Sequence, residues 1–167
     1  MKNLILILIS LNISACALLN PNPNRTEQAQ DLPLQLKEFT SDYCSEWPDG
    51  RIDDPKLWAP CCFAHDLRYW LGGSVADRLK SDEELKVCVR NSSDSLNGFL
   101  MYMGVRLGGD PGQASYAWGY GWNHDRKYFE LSAEDREEAR TLLTTSNYNK
   151  DVKEKKAIEQ FINEKLK

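Results

Sequence analysis

The residues best equipped for chemistry lie in one short run, Cys61-Cys62-Phe63-Ala64-His65-Asp66-Leu67-Arg68-Tyr69. Wound as a helix, Cys61, His65 and Tyr69 fall one turn apart on one face, while Cys62 and Asp66 share the neighbouring face. The first edge offers a disulfide anchor, an imidazole and a phenol; the second offers a disulfide anchor and a carboxylate. Imidazole is the side chain that exchanges a proton near neutral pH, so the first edge suits a general base. A carboxylate aimed away from that imidazole suits a metal ligand. A lone histidine is usually buried structure, but this one keeps the company of groups that proton-transfer chemistry uses.

Disulfide anchors require an oxidising compartment, and the start of the chain predicts one. Met1-Lys2-Asn3 precedes an apolar run from Leu4 to Ile13, too short to span a bilayer and suited to export. The run ends in Ile13-Ser14-Ala15-Cys16, which looks like a bacterial lipoprotein signal, cut before Cys16 once its thiol carries diacylglycerol. An ordinary signal peptide cut after Ala15-Cys16-Ala17 is the plainer alternative. The expected organisation is a signal segment over 1–15, a flexible Asn- and Pro-rich linker over 16–31 beginning at the lipidated Cys16, and one domain over 32–167. The domain would sit in the cell envelope, anchored to a membrane through Cys16, the outer membrane in a Gram-negative cell. Four further cysteines, Cys44, Cys61, Cys62 and Cys88, suffice for two disulfides. A bridge between adjacent Cys61 and Cys62 is geometrically poor on a helix, which leaves two pairings.

The elements that must hold the imidazole follow from the turn residues. Helix one is expected after Pro55 and stops at Gly72-Gly73; Ser74 then caps a second helix through about Val89, with Val75, Leu79, Leu85 and Val89 among its apolar positions. The short glycine connection makes the two helices antiparallel neighbours. Bridging Cys61 to Cys88 would lock this pair and leave Cys44 and Cys62 to tie the acidic loop, Asp42 to Pro55, onto helix one. Counted from that bridge, Asp82 lies about 9 Å along helix two, between the heights of His65 and Tyr69 at about 6 and 12 Å along helix one. Glu84 lies nearer the Cys88 face, so counting alone leaves both acids as partners for His65.

The rest of the chain reads as helical. Leu32 to Phe39, apolar at 32, 34, 36 and 39, predicts a short helix, and 94–107, with Leu96, Phe99, Leu100, Met103 and Leu107, predicts a strongly apolar third helix. The segment Tyr116 to Trp122 is aromatic and glycine-rich, either a wall for a lipid chain or ordinary loop packing. His124-Asp125-Arg126-Lys127-Tyr128 repeats the spacing of 65–69 without flanking cysteines and reads as a decoy. Ser132 caps a helix through Leu143, and 150–167 forms a final charged helix; both read as solvated structure. With 21 basic against 25 acidic residues and no basic cluster, a nucleic-acid surface is disfavoured. Two distant histidines and oxidised cysteines disfavour zinc.

The run Cys61-Cys62-x-x-His65-Asp66-x-x-Tyr69, with an aspartate six residues before Cys88, resembles the secreted phospholipase A2 superfamily in its prokaryotic, lipoprotein-type form, over about Asp42 to Cys88. The resemblance implies an all-α fold, with two antiparallel disulfide-linked helices, an acidic loop and additional C-terminal helices. It selects Asp82 over Glu84: His65 would take a proton from water, Asp82 would fix its tautomer, and Tyr69 would hydrogen-bond to Asp82. Asp66 would hold Ca2+ together with Asp42 and the carbonyl of Tyr43, and the ion would polarise an ester carbonyl and bind phosphate. The implied activity is calcium-dependent hydrolysis of a phospholipid acyl ester, with a phospholipid membrane as partner. Residues 45–60 contain one glycine, Gly50, where the animal enzymes carry a glycine-rich calcium loop. A non-catalytic envelope lipoprotein that binds lipid or protein on the same scaffold is the alternative.

Overall fold

The computed structural model describes residues 34–93, 95–110 and 113–167. The expected signal segment, Cys16 and the linker lie outside the described residues, as does Leu32. The described residues hold five α-helices and no strand longer than a single bridge: α1 Ala59–Leu71, α2 Val75–Ser92, α3 Ser95–Gly108, α4 Ala133–Thr144 and α5 Val152–Lys165. None of these helices is long and apolar enough to cross a membrane.

The turn residues act as their chemistry dictates. Pro60 stands in the first turn of α1, where its missing N–H costs nothing, so the helix begins a few residues beyond Pro55. At its other end Gly72 adopts φ 75°, open to glycine at little cost, and its N–H closes on the Arg68 carbonyl. Ser74 and Asp77 form a reciprocal capping box that starts α2, and Ser132 and Asp135 form the same device for α4. The two disulfides are Cys44–Cys62 and Cys61–Cys88, with Cα separations of 5.1 and 5.7 Å. The second bridge joins α1 to α2 as antiparallel neighbours; the first fastens the acidic loop to α1.

Two apolar clusters follow. Phe63, Leu67, Trp70 and Leu71 of α1 pack with Leu36, Phe39 and Trp122 and with Ala139, Leu143, Ile158 and Phe161 of α4 and α5. The second cluster surrounds the disulfides and takes in Trp58, Leu85, Val89 and Met101. The expectation that α4 and α5 are merely solvated is therefore corrected: one face of each completes the main core, and the charges stand on the other faces.

A second correction concerns residues 34–39, which are extended rather than helical. Leu36 makes an antiparallel bridge to Trp122, with Lys37 N–H on the Gly121 carbonyl at 2.8 Å and Asn123 N–H on the Gln35 carbonyl at 3.1 Å. Apolar residues at 34 and 36 fit an alternating period as well as a helical one, and so short a helix is marginal by itself. Segment 116–122 does both things expected of it: the indoles of Trp118 and Trp122 pack under α1, donating to the carbonyls of Gly73 and Leu71 at 3.0 and 2.7 Å, while Ala117 and Tyr120 line the cavity described below. Gly121 is required there, because a Cβ would lie 2.4 Å from the Trp70 ring.

Candidate functional site

The α1–α2 hairpin brings His65 against Asp82. Nε2 of His65 lies 2.9 Å from Oδ1 of Asp82, and the Tyr69 hydroxyl donates to the same oxygen at 2.8 Å. Glu84, the other acid that counting allowed, instead pairs with Arg68 at 2.6 Å. One turn of α1 separates His65 from Tyr69, and their rings stack with centroids 4.2 Å apart. Asp82 is completely buried, whereas His65 keeps 8 % of its surface exposed, so solvent meets the imidazole and not the carboxylate. With Nε2 engaged, the ring is left with Nδ1 to accept a proton.

Two arginines complete this floor, and the sequence reading had given neither a role. Nη1 of Arg106, from α3, donates to Oδ2 of Asp82 at 2.9 Å. Arg78 is fully buried; its Nε donates to the Tyr69 hydroxyl at 3.3 Å and its Nη2 to the carbonyls of Val105 and Arg106 at 2.9 and 3.2 Å. It also pairs with Asp110 and bonds the Tyr128 hydroxyl, so Tyr128, part of the decoy repeat, supports Arg78 rather than His65. Arg78 thus ties the C-terminus of α3 to α2, the end of a helix that favours a cation. Burial would by itself raise the Asp82 carboxyl and lower the Arg78 guanidinium. Hydrogen bonds from His65 and Arg106 override it for Asp82, which stays below its ordinary range. Bonds to Asp110 and the two tyrosines override it for Arg78, which is raised. Burial and the neighbouring Asp82 charge raise Tyr69, keeping it a protonated donor.

Asp66 stands on the next face of α1 in the opposite condition. Its Oδ2 accepts from the Ser41 hydroxyl at 2.6 Å, and no cationic side chain pairs with it among the described residues. Burial, with the charges of Asp42 and Asp49 nearby, pushes its carboxyl up to about 7 despite the Ser41 bond. Asp42 accepts from the Ser45 hydroxyl at 2.8 Å, and Tyr43 turns the loop with a left-handed φ of 62°. Asp66, Asp42 and Tyr43, together with His65 and Tyr69, line one cavity of about 710 Å³, walled on its far side by Leu100, Met101, Gly104 and Val105 of α3.

The chain matches no family model, no curated protein and no solved structure.

The donors around Asp66 are all oxygens, and a desolvated carboxylate with acidic neighbours and no cationic partner is what a hard cation would neutralise. Among the described residues no three His, Cys, Asp or Glu side chains converge as a metal cluster, so carbonyl and water oxygens would have to supply most of the coordination. Arg106, the single charge on a helix with no acid, and Arg78, at a core position four residues before Asp82, were the available signals for what the sequence reading missed. Ser41 carried none, because a serine before an acidic loop is ordinary turn composition.

Proposed function

We propose that the protein is a calcium-dependent hydrolase of the phospholipase A2 type, cleaving an acyl ester of phospholipid at the cell envelope, where it is lipid-anchored through Cys16. The observation that carries this reading is the His65–Asp82 pair at the floor of a largely apolar cavity that also receives the uncompensated Asp66.

Nδ1 of His65 takes a proton from water as that water adds to the ester carbonyl, and the resulting imidazolium is steadied by Asp82 through Nε2. The imidazolium then returns the proton to the departing glycerol oxygen, so that fatty acid and lysophospholipid leave and the base is restored. Tyr69, Arg106 and Arg78 keep Asp82 ionised and aimed. Asp66, with Asp42 and the carbonyl of Tyr43, would hold calcium, which supplies positive charge for the ester carbonyl oxygen and the phosphate when bound. The apolar wall of α3 shields the acyl chain from water. The test is fatty-acid release from phospholipid vesicles with and without calcium. His65→Gln is expected to abolish the calcium-stimulated release, and release that persists in it removes the proposal.

One observation favours the second reading, a non-catalytic lipid-binding envelope protein. Gly50, the one glycine of residues 45–60, is consumed by a turn in which a Cβ would meet the Asp54 carbonyl at 2.1 Å. Lipid binding without turnover in the wild-type protein would establish that reading.

A further inference from the structure

Helix α3 is predominantly apolar, yet among the helices it packs chiefly on α2. A helix of that composition is ordinarily enclosed. Its inner side is accounted for: Gly98 and Met101 are buried, and a Cβ at Gly98 would meet the Lys86 carbonyl at 2.6 Å. Its outer side is not. Leu96, Phe99, Leu100 and Leu107 are 65, 50, 41 and 65 % exposed, and with Met103 they fall within about a third of the helix circumference.

We infer that this stripe of α3 is the surface by which the protein seats in a phospholipid layer, with the cavity mouth turned toward the lipid. The inference rests on the proposed function for the identity of the lipid, and on three observations for the surface. Leu100 belongs both to the stripe and to the cavity wall, so an apolar path runs from the exposed face to the space beside His65. α3 contains no acidic residue although the chain carries a net charge of −4, its single charge, Arg106, is answered by Asp82, and the Lys86 ammonium sits 4.9 Å over the Tyr102 ring on its flank. An apolar stripe free of acids and flanked by a lysine suits a phospholipid layer containing some anionic headgroups. The four exposed side chains offer on the order of 400 Å² of apolar surface, about half of what each side of a stable protein–protein interface buries, which argues against a second copy as the occupant.

The test uses the full chain with vesicles of phosphatidylcholine containing a minor fraction of phosphatidylglycerol, and follows backbone hydrogen exchange. Vesicles are expected to slow exchange over 95–108 and leave α5 unchanged. The triple variant Leu96→Asn, Phe99→Asn, Leu107→Asn, whose residues are exposed and stand outside the cavity wall, is expected to lose that protection and to need about ten-fold more lipid, or beyond, for half-maximal effect. Leu79→Asn with Val152→Asn, exposed apolar residues elsewhere, is expected to behave as wild type. Protection that is absent from 95–108, or that survives the triple variant, overturns the inference. So does a wild-type dimer that the triple variant converts to monomer, since the stripe would then belong to a second copy. Protection of 95–108 in a protein that releases no fatty acid would remove the proposed reaction and leave the surface standing.

Discussion

Two carboxylates on neighbouring helices, Asp66 lining the cavity and Asp82 wholly buried behind His65, stand in opposite electrostatic states. Asp82 is wholly buried and fully answered: an imidazole and a phenol on one oxygen, a guanidinium on the other, and a second guanidinium 3.9 Å away. Asp66 is half-buried and answered only by a neutral hydroxyl, with two further acids nearby. A buried charge left without a partner is costly, and proteins seldom retain one without use. The contrast assigns different tasks to the two acids. In the proposed reaction Asp82, already paired by the protein itself, would orient a base, and Asp66 would be left for a cation to complete.

The sharpest way to break that contrast is to neutralise Asp82. Asp82→Asn removes the charge that would steady imidazolium and strands Arg106. Turnover of phospholipid vesicles is expected to fall by about a thousand-fold or more, with a loss of about 3 kcal/mol in urea denaturation, while calcium affinity is kept. The next test is the pH dependence of stability in calcium-free protein, where the two acids act with opposite sign. The Asp66 carboxyl is raised from 3.8 to about 7 on folding, so its proton favours the native state below pH 3.8, and that contribution is lost as pH rises toward 7. Urea denaturation is expected to show stability declining over pH 4 to 7 by up to about 4 kcal/mol, a slope that Asp66→Asn flattens. Asp82 is lowered on folding, so its contribution is present above pH 3.8 and disappears only below it.

The disulfides sharpen the comparison further, because each serves one acid. Replacing Cys44 and Cys62 with serine frees the loop beside Asp66. About 3 kcal/mol of stability is expected to go, with weaker calcium binding but an intact His65–Asp82 contact in NMR spectra. The smallest expected effect is at Arg106, a positioning residue. Arg106→Met should lower kcat about ten-fold with little change in KM, and Arg106→Lys should recover most of it, whereas a packing defect would not distinguish lysine from methionine.

The sequence carried the local parts of this arrangement and lost the distant ones. The hairpin, its caps at Ser74 and Ser132, and the His65 and Tyr69 register all depend on spacings within a few turns, which residue order preserves. The partner of Asp82's second oxygen comes from α3, and nothing in order alone says which way Arg106 points. α2 misleads an apolar count, since its inward positions are Arg78, Ser81, Asp82, Leu85 and Val89 while Val75 and Leu79 stand exposed. Polar residues at core spacing read as a solvated face until their partners are placed. Residues 34–39 failed for another reason: their pairing with 121–123 is a long-range contact, and local period could not decide it.

The measurement closest to the central claim is calcium titration by calorimetry of the wild-type chain and of Asp66→Asn and Asp82→Asn. One calcium is expected to bind the wild type and Asp82→Asn, and none to bind Asp66→Asn. Equal binding by wild type and Asp66→Asn would contradict the division of labour between the two acids.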